Sequence, residues 1–439
     1  MLVVKFGGTS VGKPERMKKI AHLVTEMQGR KIVVLSALSG TTNVLVKIGD
    51  ALLAGQTVTA ESEISSLEKH YQVFIKELFT SSAYQAVGEE IVSRYFSLLR
   101  LLAAGKFDDR GYRELLAQGE LISTELFYHH CQEQKINARL LPALHFMSID
   151  ENQEPELEKI ADRLKPILET MASANLLITQ GYICRNHQNE IDNLKRGGSD
   201  YTASLIGAAI RAEEIQIWTD IDGMHNNDPR IVKKTIPIAE LTFDEASELA
   251  YFGAKILHPS TIVPAQKYNV PVRLKNTMDE KAFGTLISEK GTSGQFKAVA
   301  AKDGITAINI KSSRMLLAYG FLRRVFEVFE KYKTSIDMIS TSEVAVSITI
   351  DDSKYLEAIL NDLKSFGTIE VDRNQTIICI VGNKLEEKDG VLKEVFQALA
   401  RVPVRMVSYG GSSNNISLLV DTSQKDKALN LLNEGLFGL

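Results

Sequence analysis

Near its amino terminus the chain reads Val3-Val4-Lys5-Phe6-Gly7-Gly8-Thr9-Ser10-Val11-Gly12. Residues 2–6 are β-branched and apolar except for Lys5 and predict a buried strand, and the pattern from Pro14 to Met27 predicts a helix. A strand, a glycine turn and a helix amino terminus in this order favour anion binding, because backbone N–H groups and the helix dipole attract negative charge. Lys5 adds a full positive charge. The stretch also fits a plain strand-to-helix turn with a solvated lysine, and it matches neither the P-loop nor the dinucleotide fingerprint.

Composition limits the class of protein. The 439 residues predict two or three domains, and a net charge of −4 offers no basic patch for nucleic acid. We see no secretory signal and no apolar run of membrane-spanning length, so we expect a cytoplasmic protein with no membrane partner. Cys131, Cys184 and Cys379 lie far apart, which excludes a disulfide scaffold or a zinc ribbon.

Further buried strands predict the fold class of the first part of the chain. They lie at 31–35, 175–179, 215–220 and 270–274. The strand before Gly7 and the strand at 31–35 both end in loops rich in Gly, Ser and Thr, so the pattern predicts a parallel α/β sheet with a site at its carboxyl edge. Residues 44–135 are predicted to be mostly helical. Glu120 lies in this region, and on the pattern alone it is a solvated helix carboxylate.

A second predicted anion site begins at Arg196-Gly197-Gly198-Ser199-Asp200, ahead of an alanine-rich helix at 203–212. Asp200 could instead be the N-cap of that helix. A helix is also predicted at 239–251. Lys255 follows it in Phe252-Gly253-Ala254-Lys255-Ile256-Leu257-His258-Pro259, near a turn, and taken alone it is a solvated surface lysine.

The pattern changes after a linker at 290–294. Strands at 305–310, 335–339, 344–350 and 368–371, with helices at 321–331 and 354–366, form a β-α-β-β-α-β unit. A second unit has strands at 377–381, 404–408 and 416–420 and helices at 391–399 and 425–435. It lacks one strand, which we assign to 296–301, so the first unit is inserted inside the second.

Five motifs in register resemble the aspartate kinase family, and its monofunctional, lysine-sensitive class matches best. They are Lys5-Phe6-Gly7-Gly8-Thr9-Ser10-Val11, Arg196-Gly197-Gly198-Ser199-Asp200-Tyr201-Thr202-Ala203, Trp218-Thr219-Asp220, Asp228-Pro229-Arg230 and Phe252 to Pro259. The resemblance covers the whole chain. It implies a carbamate-kinase-like amino-acid kinase domain, an α/β/α sandwich with a mostly parallel sheet, over 1–290. It also implies two ferredoxin-like ACT domains, the inserted one at 304–372 and the other at 296–302 plus 376–439.

The resemblance implies transfer of the γ-phosphoryl group of ATP to the side-chain carboxylate of L-aspartate, the first step of lysine, threonine and methionine biosynthesis. A carboxylate is already an anionic nucleophile, so catalysis rests on alignment and on neutralising the phosphoryl oxygens. By resemblance Lys5 and Lys255 contact the β- and γ-phosphates, and Asp200 holds the lysines in position. Mg²⁺ follows from the ATP chemistry, and we expect phosphates and water to hold it, since no carboxylate cluster is visible.

The other site residues also come from the resemblance. The ATP-binding positions are Lys5, Phe6, Gly7, Gly8, Thr219, Asp220, His225, Arg230, Lys255 and Ile256. The substrate-binding positions are Ser36, Thr42, Glu120, Arg196, Gly197, Gly198 and Ser199. Among these, Arg196 suits a bidentate grip on the α-carboxylate of aspartate, and Glu120 would take its α-ammonium group.

L-Lysine is the effector that the resemblance implies, as a feedback inhibitor bound to the first ACT domain. The pocket would comprise Met315, Phe321, Ser335, Ile336, Asp337, Thr341 and Ser342. Asp337 would take the side-chain ammonium of the effector, although on the pattern alone it is a strand-end turn residue. ACT edge strands commonly pair between subunits, so we expect a homodimer, with a tetramer left open.

The sequence departs from the family at three places. Lys195 stands where a glycine is common, His225 where a tyrosine is common, and Asn226-Asn227 where two threonines are common. Two other functions fit the sequence less well. A kinase for another acid, such as glutamate, fits poorly with the double ACT tail and with Arg196. A non-catalytic ACT sensor fits poorly with the intact Lys5, Asp200 and Lys255.

Overall fold

The computed structural model describes residues 1–194, 197–253, 257–291, 295–312 and 319–439. Its strands are β1 (Leu2–Phe6), β2 (Lys31–Leu35), β3 (Ala138–Leu140), β4 (Leu176–Gln180), β5 (Ile183–Arg185), β6 (Ile191–Asn193), β7 (Glu214–Thr219), β8 (Glu240–Thr242), β9 (Val272–Asn276), β10 (Thr285–Ser288), β11 (Phe296–Lys311), β12 (Ile339–Thr341), β13 (Ala345–Ile350), β14 (Thr368–Gly382), β15 (Met406–Tyr409) and β16 (Asn415–Asp421).

The helices are α1 (Gly8–Val11), α2 (Pro14–Glu26), α3 (Thr41–Leu53), α4 (Thr57–Leu78), α5 (Ser82–Ala104), α6 (Asp109–Glu133), α7 (Leu157–Thr170), α8 (Gly198–Ile210), α9 (Phe243–Tyr251), α10 (Pro259–Lys267), α11 (Phe321–Lys331), α12 (Leu356–Leu363), α13 (Val391–Ala398) and α14 (Lys425–Phe437). Packing divides the chain into two units, Met1–Gly223 with Leu257–Glu289 and Met224–Ile256 with Lys290–Leu439. Within the described ranges, every helix is too short or too polar to cross a membrane.

A mostly parallel sheet forms the centre of the first unit. Within this unit its strand order is β3-β4-β2-β1-β7-β9-β10. Among the described strands of the unit, β10 runs antiparallel to β9 and the other neighbours pair in parallel. Val3, Val4 and Phe6 of β1 are fully buried, as expected for a strand covered on both faces. The predicted α/β fold class is confirmed, and β1 and β2 have their predicted bounds.

The predicted starts of two helices are wrong. The alanine-rich helix begins at Gly198 rather than at residue 203, and its N-cap is Gly197, with φ of 78°, rather than Asp200. The predicted helix at 239–251 is a short strand, β8, followed by α9. The helix starts later because Thr242 and Glu245 form a reciprocal capping box that fixes its first turn.

The second unit contains a six-stranded antiparallel sheet in the order β12-β13-β11-β14-β16-β15. The long strand β11 lies in both halves of this sheet. Its residues 296–302 pair with 377–382, and its residues 305–311 pair with 368–375, with a register shift between Lys302 and Ile305. Helices α11 and α12 cover one half, and α13 and α14 cover the other.

Several strand boundaries that were predicted for this sheet are wrong. The predicted strands at 368–371 and 377–381 are one strand, β14, because β11 pairs with both parts. The strand predicted at 335–339 is also wrong, since the assigned strand, β12, is Ile339–Thr341 at the sheet edge.

Three buried amides link the 225–237 loop to α14 within the second unit. Asn226 Nδ2 donates to Asn433 Oδ1 at 3.0 Å, and Asn227 Nδ2 donates to the Leu429 carbonyl at 3.1 Å. Asn433 Nδ2 donates in turn to the Lys234 carbonyl at 2.9 Å. This network gives a structural reason for the two asparagines, because threonine cannot donate an amide N–H to the helix.

Candidate active site

The loops that follow β1, β2 and β4 lie together at the carboxyl edge of the parallel sheet. The Ser36 N–H donates to the Phe6 carbonyl at 3.2 Å, and the Gly181 N–H donates to the Leu35 carbonyl at 2.8 Å. Polar side chains at this edge can converge on one ligand, as the sequence predicted for an open parallel sheet.

Lys5 and Asp200 form an ion pair at this edge. Lys5 Nζ lies 2.6 Å from Asp200 Oδ1, and both side chains are largely buried. Asp200 lies in the first turn of α8, so the sheet supplies the cation and the helix supplies the carboxylate. A buried pair of this kind fixes the direction of the ammonium group while leaving its other protons for a phosphate.

Two glycines at the start of α8 allow close packing. A Cβ on Gly197 would lie 2.6 Å from His258 Cβ, and a Cβ on Gly198 would lie 2.3 Å from Tyr182 Cδ2. Gly197 also has a positive φ, which glycine adopts without strain. These positions therefore require glycine for steric reasons.

Glu120 is buried rather than solvated, so the interpretation from the pattern alone is wrong. Only 3% of the residue is exposed, and its Oε1 accepts a hydrogen bond from the Ala37 N–H at 3.1 Å. Its Oε2 is buried and accepts no hydrogen bond from the described residues. Burial raises the pKa of Glu120 to about 7, against the opposing effects of the Ala37 N–H and the Lys5 charge. An unsatisfied buried carboxyl oxygen of this kind suits a cationic ligand group.

The three hydroxyl residues of the predicted substrate site are half-buried: Ser36, Thr42 and Ser199. Ser36 follows β2, and its carbonyl accepts a hydrogen bond from Ser123 Oγ at 2.8 Å. Ser199 lies close to the loop after β4, since a Cβ on Gly181 would be 2.5 Å from its side chain. Thr42 lies in the first turn of α3.

A pocket of about 740 Å³ adjoins the Gly197–Gly198 turn in the first unit. Its lining includes Tyr182, Tyr201 and His258, which the sequence analysis did not select. Tyr182 has φ of 67°, a strained conformation for a residue with a side chain, and its N–H donates to Thr202 Oγ1 at 2.9 Å. The sequence signal that could have pointed to this pocket is the pair Gly181-Tyr182, which directly follows β4.

The predicted ATP-binding positions are described separately for each unit. In the first unit Phe6 is fully buried against Trp218, so only its backbone can reach a ligand, and Thr219 and Asp220 follow at the end of β7. In the second unit His225 Nδ1 lies 2.9 Å from Thr235 Oγ1. Arg230 is exposed and forms a bidentate pair with Asp228, which lowers the pKa of that carboxyl.

Several predicted residues lie outside the described residues: Lys195, Arg196, Lys255, Ile256 and Met315. Their assignments remain predictions. Among the described residues, no group of three or more His, Cys, Asp or Glu side chains could hold a metal ion.

The described residues of the predicted effector pocket differ in exposure. Phe321 packs in the core with Phe366, whose ring centroid is 5.9 Å away, so its side chain is not available. Ser335, Thr341 and Ser342 are exposed. Asp337 has a fully buried carboxylate that contacts Lys302 at 2.8 Å. Burial raises the pKa of Asp337, and the Lys302 charge opposes that shift.

Comparisons with known proteins identify the family of the chain. The amino acid kinase family model matches residues 1–276, and an ACT domain model matches 308–361 and 378–436. The chain is similar to lysine-sensitive aspartokinase 3 of Escherichia coli (strain K12), with 33% identity over 100% of this chain and 99% of that protein. It is also similar to the chloroplastic aspartokinase 3 of Arabidopsis thaliana, with 34% identity over 99% and 81% of the two chains.

Solved structures give the same result. The crystal structure of E. coli aspartokinase III in complex with aspartate and ADP matches with a TM-score of 0.84 and 32% identity, covering 100% of both chains. The structure of the same enzyme with lysine and aspartate matches with a TM-score of 0.81, covering 100% of this chain and 99% of the other. With a family match over more than half of its length and full-length identity above 30%, this chain belongs to the aspartokinases of the amino acid kinase family.

Proposed function

We propose that the protein transfers the γ-phosphoryl group of ATP to the side-chain carboxylate of L-aspartate, giving 4-phospho-L-aspartate and ADP. The observation that carries the proposal is the arrangement of Lys5, Asp200 and Glu120 around one edge of the sheet. It provides a held cation for phosphate and an unsatisfied carboxyl group for an amine. The chain's likeness over its full length to an enzyme solved with aspartate and ADP supports the same reaction.

For this reaction the protein must supply positive charge and hold the two substrates in alignment. The attacking carboxylate needs no general base, so Asp200 serves to orient Lys5 rather than to accept a proton. Lys5 neutralises charge on the transferring phosphoryl group, and the backbone N–H groups of Gly7, Gly8 and Gly198 add to this. Lys255 supplies the second cation in this proposal.

Aspartate is recognised at both of its amino-acid charges. Glu120 receives the α-ammonium group, because its Oε2 is buried and has no hydrogen bond from the described residues. Arg196 takes the α-carboxylate with its planar guanidinium. Ser36, Thr42 and Ser199 add hydroxyl contacts. ATP enters as its Mg²⁺ complex, and the metal ligands come from phosphate and water.

L-Lysine is the proposed feedback effector, and the first ACT domain is its site. The relative solved with lysine and aspartate supports this, as does the buried carboxylate of Asp337 in the present chain. We further propose a homodimer formed through the ACT sheet, because β12 and β15 are edge strands with exposed Ile339, Val407 and Tyr409.

A cytoplasmic location is also proposed. The three cysteines are free and buried, which suits the reducing cytoplasm where ATP and aspartate are available.

A coupled assay of ADP release tests the reaction. We expect turnover with L-aspartate, little with L-glutamate, and none without an acceptor. Addition of L-lysine, L-threonine or L-methionine then identifies the effector, and we expect inhibition by lysine. Equal rates with glutamate would favour another amino-acid kinase. No ADP release with any acceptor from the folded protein would favour a non-catalytic sensor.

A further inference from the structure

Three side chains in the second unit surround the ammonium group of Lys302. Lys302 Nζ lies 2.8 Å from Asp337 Oδ1 and 2.8 Å from Asp351 Oδ2. The same nitrogen lies 4.5 Å from the centre of the Tyr251 ring, and the Tyr251 hydroxyl donates to Asp337 Oδ1 at 3.1 Å. We call this group the ammonium cage: Tyr251, Lys302, Asp337 and Asp351.

The composition of the ammonium cage suits an alkylammonium ion. Two carboxylates supply charge-assisted hydrogen bonds, and the aromatic face adds a cation–π contact. The chain's own Lys302 already fills this position, with 19% of its side chain exposed. The proposed effector, L-lysine, carries the same ammonium group on the same four-carbon stem.

The ammonium cage is not balanced in charge. It holds two carboxylates against one ammonium group. The Asp337 side chain has no exposed surface, and its Oδ2 accepts no hydrogen bond from any described residue. A buried carboxylate with an unused oxygen favours an additional or alternative cation.

The ammonium cage is also joined to the segment that leads to Lys255. Tyr251 is the last residue of α9, and Gly253 follows with φ of 115°. A Cβ on Gly253 would lie 2.3 Å from the Ala301 carbonyl oxygen, so this backbone packs directly against the residue before Lys302. Lys255 comes two residues after Gly253 in the sequence.

We infer that Lys302 is an internal competitor of L-lysine, which must take Asp337 from Lys302 and Tyr251 in order to bind. This inference rests on the proposed function, since it takes the first ACT domain as the lysine site. Entry of the effector breaks the Tyr251–Asp337 hydrogen bond and releases the end of α9, which connects to Lys255. Lys302 therefore sets the lysine concentration at which the enzyme responds.

Calorimetric titration of the full-length protein with L-lysine tests the competition. In Lys302→Met the competitor is gone while the apolar stem remains, so we expect the Kd for lysine to fall by about tenfold or more. In Lys302→Arg a bidentate guanidinium holds Asp337 more firmly, so the Kd should rise. The matched control is Lys311→Met on the same strand, where the exposed Lys311 pairs with Glu370, and its Kd should equal that of the wild type.

The outcomes separate this inference from the proposed function. If the wild type binds lysine but both Lys302 variants keep the wild-type Kd, the inference is wrong and the effector assignment stands. If the wild type does not bind lysine at all, the inference and the effector assignment are both wrong, whereas the proposed phosphoryl transfer is tested separately by ADP release. Should Lys302→Met fail to fold, because it leaves Asp337 buried without its partner, the direction of the Kd change in Lys302→Arg decides the question.

Hydrogen exchange tests the connection to α9. We expect saturating L-lysine to accelerate amide exchange at residues 243–253 of the wild-type protein, because the helix loses its contact with Asp337. L-Norleucine, which has the same four-carbon side chain as lysine without the side-chain ammonium group, should leave this exchange unchanged. Bound lysine with unchanged exchange at 243–253 would overturn the release of α9.

Discussion

The substitution Glu120→Gln separates the cost of a buried charge from its use in binding. Glutamine keeps the oxygen that accepts from the Ala37 N–H but cannot ionise. In the free protein, burial raises the pKa of Glu120 from 4.5 to about 7. At ~1.36 kcal/mol per pKa unit, ionising this carboxyl in the folded protein costs about 3 kcal/mol.

The sign of the effect on stability follows from the raised pKa. The folded state binds the proton of Glu120 more tightly than the unfolded state does. The stabilising contribution of this proton to the free energy of unfolding is therefore fully present below about pH 4.5 and is lost as the pH rises to about 7. Glutamine suffers no such loss. At pH 8.5 we therefore expect Glu120→Gln to be more stable than the wild type by up to about 3 kcal/mol, and at pH 4.5 we expect a much smaller difference.

Binding should change in the opposite direction. Without the negative charge, the α-ammonium group of aspartate loses a charge-assisted hydrogen bond worth about 1.5–3 kcal/mol, so the KM for aspartate should rise roughly 10- to 100-fold. The KM for ATP should change little. In the wild type, the KM for aspartate should rise as the pH falls below about 7, because Glu120 becomes protonated.

Urea denaturation at pH 4.5 and 8.5, with steady-state kinetics at pH 8.5, measures both effects. Glu114→Gln, on the same helix, is the control and should match the wild type in both assays. A Glu120→Gln protein that is less stable than the wild type at pH 8.5, or that keeps the wild-type KM for aspartate, would refute the reasoning.

Three further substitutions probe the cation, the amide network and the substrate grip. Lys5→Met should lower kcat at least 100-fold, because it removes the cation that faces the phosphoryl group. The double variant Lys5→Met/Asp200→Asn should regain stability without regaining activity, because it removes the unpaired carboxylate but does not restore the cation. Recovery of turnover in the double variant would contradict this. Asn433→Ala should cost about 2–4 kcal/mol in urea denaturation, because it leaves buried amide groups unpaired, whereas the exposed Asn430→Ala should stay within about 0.5 kcal/mol of the wild type. Arg196→Lys keeps the charge but not the planar fork, so it should raise the KM for aspartate, and a change confined to the KM for ATP would reassign the residue.

The central strands could be predicted from sequence because local pattern determines them. Residues 2–6 and 31–35 are apolar except for one lysine in each, and each forms the predicted strand. A strand buried on both faces needs such a run, so the pattern has few other interpretations. The helix at Phe321–Lys331 also has its predicted bounds, because its apolar stripe is well separated from its charged face.

Features that depend on distant residues were not predicted. Nothing local to Glu120 indicates that the loop after β2 covers it, and the pattern alone therefore suggested a solvated side chain. β11 and β14 are continuous because they pair with each other along their length. The local sequence pattern does not show this pairing, so each was predicted as two short strands. The contact of Lys302 with Asp337 joins positions 35 residues apart and has no sequence signature.

Trapping the product with hydroxylamine tests the proposed reaction most directly. An acyl phosphate formed on the side chain of aspartate reacts to give the aspartyl β-hydroxamate, which mass spectrometry identifies. We predict that the wild-type protein forms this hydroxamate in a one-to-one ratio with ADP and that folded Lys5→Met/Asp200→Asn forms almost none. Release of ADP by the wild type without any aspartyl hydroxamate would contradict the proposed reaction.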